Sequence, residues 1–562
     1  MAKINKRKSF FILFLIVIAS FFSWRSLTFP GYFSMHDDMQ FMRIYQMDKC
    51  FKDGQIPCRW VPDLGFGYGY PLFNYYPPFS YYLGEIFHLL GFSIIGSFKI
   101  LFALSLVLSG IFMYFLAREF WGEIGGLISA LFYIYAPYRA VDVYVRGAMA
   151  ESWSLVWFPL IFLAVWKVIK EKNFSWVLIL AASYGFLLIS HNIMSFLFSF
   201  IALVWGLFWL FYFKNFKSIK NLALGVGLAL GISAFFVLPV IFEKKLVHIE
   251  TMLMGYFNYL AHFADLRQLF LSNKWGWGAS VWGPEDEMPF MIGYLHWGLV
   301  AANFFLACLL WFKKEKEKFL LSLFLFFFFL LTTFMTHSRS TPIWQRVKIL
   351  EYLQFPWRFL GLVAFFSSFF SGAIIDLLKP KKLKYAIFPL LGIGVIFLNA
   401  NYFRPEKYFF QEKDSDRLSG KKWQESLNNA IFDYLPIYAH YPPGEEAPKL
   451  PQVLSGKIEI LDFKKGTNWQ ELKIKVHEGG KIQLSCYYFP YWTVWVDGNK
   501  VKIDYDNFFG LITFEVSPGE HQVKAKLLDT PIRKAGNIIS LVSFFVFAGG
   551  VLKVLKQKNE RG

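Results

Sequence analysis

Residues 319–335 read FLLSLFLFFFFLLTTFM, and a lysine-rich stretch, residues 313–318, comes directly before them. A helix of about 20 apolar residues is long enough to cross the hydrocarbon layer of a membrane. A run this apolar, next to a cluster of lysines, therefore predicts a membrane-spanning helix over residues 318–336. The rest of the chain repeats this arrangement.

Eleven other stretches predict spanning helices in the same way. They lie at about 9–27, 91–117, 121–137, 152–169, 174–190, 193–212, 221–242, 290–311, 357–377, 383–400 and 535–555. The composition agrees, because 56% of the 562 residues are hydrophobic and 21% are aromatic, which is rare in soluble globular proteins. The first stretch has no small-residue cleavage signal and is expected to remain as a helix. The predicted fold class is a polytopic α-helical membrane protein with about 12 transmembrane helices.

The basic residues predict how the helices are oriented. Lysines and arginines cluster at both termini and in alternate loops, at 167–172, 214–220, 313–318 and 379–384. Because positively charged loops usually face the cytoplasm, both termini are expected there, in a protein of the cell membrane. The external loops are then 28–90, 138–151, 243–289 and 337–356. The net charge of +18 is thus a signal of topology, and no patch has the residues that read nucleic acid.

Residues 401–534 form a further external segment with a different pattern. Polar and apolar residues alternate in runs such as Lys457–Leu461 and Leu472–Val476, as in half-buried strands. Three sequences resemble turns between strands: Glu478-Gly-Gly, Asp497-Gly-Asn and Ser517-Pro-Gly. We therefore expect an extracytoplasmic β-sandwich over 401–534, between a transmembrane domain over 1–400 and a final helix with a cytoplasmic tail over 535–562.

The chain has four cysteines, which are too few for a disulfide framework. Cys50 and Cys58 share one predicted external loop, and in an oxidising compartment they could pair, but the sequence leaves this open. Cys308 and Cys486 are expected to be ordinary buried thiols.

Ionisable residues collect at the external ends of the predicted helices, which points to a site at the membrane–water boundary. The cluster His36-Asp37-Asp38 could supply a general base or bind a divalent cation such as Mg or Mn, or it could be a solvated loop. In Arg146-Gly-Ala-Met-Ala-Glu151, Arg146 could bind a phosphate, or it could form an internal salt bridge with Glu151.

Two further polar clusters lie where predicted helices begin. Ser190-His191-Asn192 joins two spans and could be a polar site, although a lone histidine is more often structural. In Gln354-Phe-Pro-Trp-Arg358, Arg358 could extend its charge to the membrane interface or meet an anion. Lys99 and His296 are further candidates of the same kind.

Several motifs, taken together and in this order, resemble a known group of proteins. They are His36-Asp-Asp-Met-Gln40, Asn74-Tyr-Tyr-Pro-Pro78, Arg146-Gly-Ala-Met-Ala-Glu151, Ser190-His-Asn192, Gly293-Tyr-Leu-His-Trp297, Gln354-Phe-Pro-Trp-Arg-Phe359, and Tyr487-Tyr-Phe-Pro-Tyr-Trp492 with Val496-Asp-Gly498. The chain resembles the GT-C superfamily of membrane glycosyltransferases, and within it YfhO-type proteins and the membrane proteins labelled pyruvoyl-tetrahydropterin-synthase-related. Tyr491 stands where that group usually has glycine.

The resemblance implies a sugar donor linked to polyprenyl phosphate and an acceptor outside the membrane, which would be a cell-envelope glycan, a glycolipid or a protein. It implies Asp37 as the catalytic base, with Asp38 as the alternative because the tandem leaves the correspondence ambiguous by one position. An inverting displacement would also need positive charge at the phosphate leaving group, from Arg358 or Arg146. Glu151, His191 and Asn192 would bind or orient the substrate.

Two other classes of protein stay open from the sequence. One is a transporter or flippase for lipid-linked glycans, and the other is a non-catalytic membrane protein of envelope assembly. Transporters favour ionisable groups near the bilayer midplane and inverted repeats with broken helices, and the sequence shows neither clearly. Turnover of a lipid-linked donor would distinguish an enzyme from both.

Overall fold

The computed structural model describes residues 6–171, 173–283, 286–312, 315–377, 381–428 and 434–560. Its α-helices are α1 (Lys6–Ala19), α2 (Phe21–Trp24), α3 (Gln40–Lys52), α4 (Leu72–Tyr75), α5 (Phe79–Leu89), α6 (Ile94–Ile134), α7 (Pro137–Ala140), α8 (Met149–Lys170), α9 (Phe174–Ser190), α10 (Asn192–Phe213), α11 (Ile219–Ile232), α12 (Ala234–Phe242), α13 (Leu266–Phe270), α14 (Tyr294–Phe312), α15 (Lys316–Thr336), α16 (Thr341–Arg346), α17 (Leu360–Ser371), α18 (Ala373–Leu377), α19 (Lys381–Asn399), α20 (Asp414–Arg417), α21 (Gly420–Asn428) and α22 (Pro531–Asn559). Its strands are β1 (Tyr32–Phe33), β2 (Tyr408–Phe409), β3 (Gln452–Lys465), β4 (Trp469–Tyr487), β5 (Trp492–Val496), β6 (Asn499–Val501), β7 (Leu511–Val516) and β8 (Gly519–Leu527). Some of the basic residues that predict the orientation, Lys172, Lys313, Lys314, Lys379 and Arg561, lie outside the described residues.

Helices long and apolar enough to cross a membrane occur throughout the described chain. Seven have that length and composition singly: α6, α8, α10, α15, Pro356–Leu377, Lys382–Tyr402 and α22. Two bent pairs, Phe10–Ala19 with Phe21–Thr28 and Phe216–Ile232 with Ala234–Phe242, raise the number to nine. Shorter apolar helices, α9 and Tyr294–Cys308, cover the remaining predicted stretches. The polytopic helical fold is confirmed, because apolar runs of this length can satisfy their backbone in lipid only as helices.

Helix α6 contains two of the predicted spans, and it turns back on itself between them. Gly122 has a φ of 71°, which is not helical. A Cβ atom on Gly110 would lie 2.3 Å from a side-chain carbon of Ile134 and 3.6 Å from the carbonyl oxygen of Ala130. Residues this far apart along a straight helix would be about 30 Å from each other. The two arms of α6 therefore run antiparallel and pack together.

Strands β3 to β8 form the predicted β-rich domain, and hydrogen bonds join all six strands in one antiparallel sheet. The strand order is β3-β4-β8-β5-β6, and β7 also pairs with β4. Val516 of β7 is opposite Gly480, and Gly519 of β8 is opposite Val476, so β7 and β8 follow each other along the same edge of β4. Together they act as one long strand with an irregularity at residues 517–518.

This register explains why two of the three predicted turns are wrong. Glu478-Gly-Gly lies inside β4, and Ser517-Pro-Gly lies opposite it, between β7 and β8. Glycine within a strand often marks a bulge, which the sequence alone does not distinguish from a turn. Asp497-Gly498 does join β5 to β6, with φ values of 51° and 80°. The residues of these two predicted turns thus lie within or between long strands of a single sheet.

The β-domain is docked on the first long loop of the membrane part. Asp53 accepts hydrogen bonds from the Thr467 backbone N–H at 2.6 Å and from Trp469 Nε1 at 2.9 Å. The Trp60 ring packs edge-on against Trp492, with ring centroids 5.7 Å apart. The same loop carries the disulfide Cys50–Cys58, while Cys486 is buried and Cys308 is half-buried as free thiols. The sheet is therefore fixed to the helix ends on one side of the protein, which we term the β-domain side.

Candidate active site

A cavity of about 830 Å³ lies at the helix ends on the β-domain side. Its walls come from segments that are far apart in sequence: the loop after α2, the starts of α8 and α10, the loop between α12 and α14, and the segment just before α17. Its charged and polar lining residues are His36, Asp37, Asp38, Arg43, Arg146, Glu151, His191, Asn192, Gln354 and Arg358. The structure thus brings together the four polar clusters that the sequence singles out.

Backbone hydrogen bonds fix the acidic loop to the loop that precedes α8. The His36 N–H donates to the Val145 carbonyl at 2.9 Å, and the Asp37 N–H donates to the Arg146 carbonyl at 2.8 Å. Gly147 has a φ of 65°, and a Cβ atom there would lie 2.4 Å from Met35 Sδ. Only glycine fits this conformation and this close approach without strain. The carboxylates and Arg146 are therefore held near each other by main-chain contacts.

Asp37 has one oxygen held by the protein and one that remains available. Its Oδ2 accepts hydrogen bonds from Arg43 Nη1 at 2.7 Å and from Gln40 Nε2 at 2.9 Å. The Arg43 guanidinium is buried and stacks on the Tyr76 ring at 4.2 Å. Within the described chain, Asp37 Oδ1 has no hydrogen-bond partner, and the side chain is 31% exposed. Asp37 is thus an oriented carboxylate with a free oxygen at the cavity wall.

Asp38 has both oxygens engaged. Its Oδ1 accepts a hydrogen bond from the Tyr32 hydroxyl, and its Oδ2 accepts one from Arg417 Nη2 at 3.1 Å. Arg417 also pairs with Glu412 at 2.7 Å. Burial raises the pKa of Asp38, and the positive charge of Arg417 partly offsets that rise. Of the two tandem carboxylates, Asp37 is therefore the one better placed to take a proton from a bound molecule.

The three candidate ligands for Mg or Mn each bind groups of the protein. His36 Nε2 donates to the Trp277 carbonyl at 2.7 Å, so the side chains of His36, Asp37 and Asp38 each contact different partners. Burial lowers the pKa of His36. Over the described ranges, no group of three or more His, Cys, Asp or Glu side chains is arranged to hold a metal ion. A divalent cation at His36, Asp37 and Asp38 therefore stays a prediction.

Arg146 forms the internal salt bridge that the sequence leaves open as an alternative. Its Nη1 lies 2.8 Å from Glu151 Oε2 and 2.7 Å from Asp142 Oδ1, and its guanidinium stacks on the Trp357 ring at 4.5 Å. Tyr138 donates its hydroxyl to Glu151 at 2.6 Å. Burial, followed by the charge of Glu151, raises the pKa of Asp142 strongly. Arg146 is thus largely committed to holding this corner of the cavity.

Arg358 is buried at the cavity wall and is held by groups of the protein. Its Nη1 donates to the Leu353 carbonyl at 2.6 Å and to Gln354 Oε1 at 3.1 Å, and its Nε lies 3.6 Å from Glu151 Oε2. Gln354 has a φ of 62°, a strained backbone for a residue other than glycine. Nε is buried without a hydrogen-bond partner, and Nη1 makes both of the side chain's hydrogen bonds to described residues, so the Nε–Nη2 edge of this cavity-lining side chain makes none. Arg358 therefore has a free edge for an anion.

His191 and Asn192 form another part of the cavity wall. His191 Nδ1 accepts a hydrogen bond from the Met194 N–H at 3.3 Å and so caps the start of α10. Asn192 Nδ2 donates to the Tyr75 carbonyl at 2.9 Å, which ties α10 to the Asn74–Pro78 motif. Both residues line the cavity beside the aromatic rings of Tyr76 and Tyr434.

Lys99 and His296 lie outside the cavity. Lys99 Nζ donates to the carbonyls of Phe29, at 2.8 Å, and of Gly31, so it holds the end of the first helical segment. His296 is fully buried, and its Nε2 contacts the Phe132 carbonyl at 2.9 Å. Both side chains satisfy main-chain oxygens, which is why they resemble site residues in sequence without contributing to the site.

The sequence reasoning missed Arg43 and Arg417, which hold the two carboxylates. A signal for Arg43 was present, because Gln40 and Arg43 are three residues apart in the helix that follows Asp37 and so share a face. For Arg417 there was none, since it lies 379 residues from Asp38 in a charged segment.

Comparisons with known proteins agree with a membrane protein. Residues 73–404, more than half of the chain, match a family described as 6-pyruvoyl-tetrahydropterin synthase related domain; membrane protein. An uncharacterized protein of Lactococcus lactis subsp. cremoris is 25% identical over 324 residues, which are 55% of this chain and 50% of that protein. The match thus spans half the length of this relative.

Two solved structures overlap loosely with the chain. ArnT from Cupriavidus metallidurans, bound to undecaprenyl phosphate, is 14% identical over 70% of this chain and 64% of its own, with a TM-score of 0.38. The oligosaccharyltransferase AglB from Archaeoglobus fulgidus, in complex with an inhibitory peptide and a dolichol-phosphate, is 12% identical over 75% and 57%, with a TM-score of 0.41. Overlaps this loose do not establish a shared fold or reaction.

Proposed function

This chain belongs to the 6-pyruvoyl-tetrahydropterin synthase related family of membrane proteins, and from that premise we propose that it is a membrane glycosyltransferase of the GT-C type. It would move a sugar from a polyprenyl-phosphate-linked donor to a glycan, lipid or protein acceptor of the cell envelope. The observation that carries this proposal is the meeting of an oriented carboxylate, Asp37, with a cation that has a free edge, Arg358, in one cavity at the ends of the spans.

The location suits a donor that is part lipid. A polyprenyl tail would stay among the acyl chains while its phosphate and sugar enter a cavity at the helix ends. Helices α8 and α10 begin at the cavity and end next to the lysines Lys170 and Lys214. The positive-inside rule would therefore put the cavity and the β-domain outside the cell membrane and both termini in the cytoplasm.

The residues can be assigned to an inverting displacement. Asp37 Oδ1 would take the proton of an acceptor hydroxyl as that oxygen bonds to the anomeric carbon of the donor. The bond from this carbon to the phosphate oxygen breaks at the same time, and the polyprenyl phosphate leaves with the electron pair. Arg358 Nη2 would stabilise the charge that develops on the phosphate. Arg43 and Gln40 would keep Asp37 oriented throughout.

The other lining residues have supporting roles in this scheme. Glu151 lies between Arg146 and Arg358, at 2.8 and 3.6 Å, so it would set the position of both guanidinium groups. The ring of Tyr256 lines the same cavity and is half exposed, so it offers a face on which a sugar can stack. His191 and Asn192 would limit where the acceptor can lie.

The direct test is turnover of a labelled polyprenyl-phosphate sugar by the purified full-length chain in vesicles. If Asp37 is the base, Asp37→Asn should lower turnover by about 10²–10⁴-fold. Asp38→Asn is the matched control, because Asp38 is the next residue in the sequence and both of its carboxylate oxygens are already bound within the protein.

Full turnover by the Asp37→Asn variant would remove Asp37 as the base. No turnover by the wild-type chain, together with movement of intact donor between leaflets, would favour a transporter of lipid-linked glycans. Donor binding without either outcome would favour a non-catalytic assembly protein.

A further inference from the structure

The segment between α15 and α17 exposes apolar side chains that no described part of the protein covers. Ile343, Val347, Ile349 and Tyr352 are 39%, 43%, 49% and 42% exposed. The cations Arg339, Arg346 and Lys348 lie among them and are exposed too. We term residues 338–352 the interfacial segment. Apolar and basic side chains interleaved in this way are typical of a surface that lies in the headgroup region of a membrane.

The inner side of the interfacial segment is already filled by protein. Trp344 is fully buried, stacks on Tyr259 with ring centroids 5.1 Å apart, and lies edge-on to Phe263. Leu353, at the end of the segment, is also buried. The exposed apolar residues therefore cannot be satisfied by turning inward, because the inward positions are occupied.

The attachment of the segment keeps it at the membrane boundary. It directly follows the apolar helix α15, which ends at Thr336, and it precedes the apolar helix Pro356–Leu377. The Ala264 N–H donates to the Thr336 carbonyl at 3.0 Å, which fixes the start of the segment. A connection of this length, anchored at both ends, remains next to the lipid-facing surface of the spans.

We propose that the interfacial segment inserts Ile343, Val347, Ile349 and Tyr352 into the leaflet on the β-domain side and binds anionic phospholipid headgroups through Arg339 and Arg346. Charge supports this occupant. The side chains of Arg339 and Arg346 have no ion pair or hydrogen bond to any described residue, whereas Lys348 pairs with Glu351 at 3.1 Å. Gln354 and Phe355, which come just after the interfacial segment, line the cavity. The interfacial segment is therefore continuous with a wall of the cavity, whatever reaction occurs there.

The test uses the full-length chain with a fluorophore on Ile349→Cys, reconstituted in phosphatidylcholine vesicles that contain nitroxide-labelled lipid. Nitroxide quenches only nearby fluorophores. We expect quenching at position 349, and stronger quenching by labelled phosphatidylglycerol than by labelled phosphatidylcholine. The same label on Leu454→Cys, an exposed apolar position of β3, should not be quenched. Labelling of the unsubstituted chain corrects for Cys308 and Cys486.

The variant Arg339→Gln/Arg346→Gln should lose the preference for phosphatidylglycerol, by up to about fivefold for each cation removed. Lys464→Gln/Lys473→Gln is the matched control, because both lysines are exposed on the β-domain and have no ion pair within the described chain. Absence of quenching at position 349, or a preference that both double variants retain equally, would overturn the proposal. Self-quenching at position 349 in dilute vesicles would overturn it in favour of a second copy of the chain.

Discussion

Among single side chains, Arg43 and Asp37 position each other. The guanidinium is buried and stacks on Tyr76, and its charge is balanced by the Asp37 carboxylate at 2.7 Å. Asp37 is the partly exposed member of the pair, whereas Arg43 is enclosed by aromatic rings. The direction of the Asp37 free oxygen is therefore set mainly by Arg43, which makes Arg43 a positioning residue in the proposed transfer.

The variant Arg43→Lys tests this role while keeping the charge. Lysine cannot reproduce the planar fork or the stacking on Tyr76. We expect turnover of donor to fall on the order of 10²-fold, because a carboxylate misplaced by about 1 Å loses its catalytic geometry. Donor binding and the melting temperature should change little. Lys52→Met, on the exposed end of the same helix, is the control, and unchanged turnover in Arg43→Lys would refute the role.

Glu85 gives a pH-dependent prediction at the same scale. It is fully buried in α5, and neither of its carboxylate oxygens has a hydrogen-bond partner in the described chain. Burial, and next the charge of Asp48, raises the pKa of Glu85 from 4.5 to about 7. The folded chain thus holds this proton more tightly than the unfolded chain. Its contribution to stability is complete below the unfolded pKa and is lost as pH rises through the folded pKa.

Glu85→Gln should remove that dependence. The melting temperature of the variant relative to wild type should rise as the pH increases from about 4.5 to about 7, with a full difference of about 3 kcal/mol in the free energy of unfolding. Thermal unfolding of the solubilised chain across this range measures it. The exposed Glu459→Gln is the control, and parallel curves for wild type and Glu85→Gln would contradict the assignment.

At the scale of elements, the spans could be predicted and the contacts between loops could not. Each span is recognisable in the sequence as a long apolar run, because in lipid the backbone of a helix can form hydrogen bonds only within the helix. The reversal in α6 at Gly122 was also predictable, since two runs together exceeded one membrane thickness. The turns predicted at Glu478-Gly-Gly and Ser517-Pro-Gly were wrong, because a β-bulge uses glycine as a turn does.

The residues of the site could be predicted from the sequence, but which of them pair with each other could not. Carboxylates, arginines and histidines at helix ends are costly near lipid and therefore conspicuous. Which of them meet depends on how distant loops pack together, as Asp38 and Arg417 show, and local sequence does not encode that packing. The hydrogen bonds between the Asp37 loop and residues 145–147 are likewise contacts between distant loops, which local sequence does not encode.

Gly147→Ala tests that contact between elements. At Gly147 an alanine meets both a positive φ and the Met35 side chain, 2.4 Å away, whereas at Gly54 it would meet a similar φ of 72° and open space. Gly54→Ala is thus a control for the backbone strain alone, about 1–2 kcal/mol. We expect Gly147→Ala to lower donor turnover at least tenfold more than Gly54→Ala, as estimated for displaced catalytic groups. Equal effects of the two substitutions would show that the contact with Met35 does not position Asp37.

At the scale of the whole molecule, the two ends of the chain meet in a buried polar cluster. Glu243, after α12, pairs with Arg533 of α22 at 2.9 Å and accepts a hydrogen bond from Asn74 at 3.0 Å. Arg59 donates to Asn537 at 2.8 Å. The last helix is thereby locked to α4, and Tyr76, which directly follows α4, lines the cavity.

Arg533→Met should destabilise the chain by about 3–5 kcal/mol, because it leaves the buried Glu243 carboxylate without its cation. Glu243→Gln/Arg533→Met should recover a large part of that loss, which a double-mutant cycle of thermal unfolding measures. Lys524→Met, which breaks an exposed pair with Glu471 at 2.8 Å, is the control and should cost less than about 1 kcal/mol. Equal costs for the two single variants would mean that the Glu243 cluster is not energetically buried.

Strand β1 pairs with β2, and Asp38 meets Arg417. The ribosome must therefore add 379 residues after the acidic motif before its partner exists. At about 5–20 residues per second, this delay lasts on the order of 20 to 80 seconds. During that time the loop of residues 36–38 can already meet residues 145–147, but Asp38 has no cation to pair with. A chain that stops before residue 417 would thus leave the Asp38 carboxylate without its partner at the cavity wall.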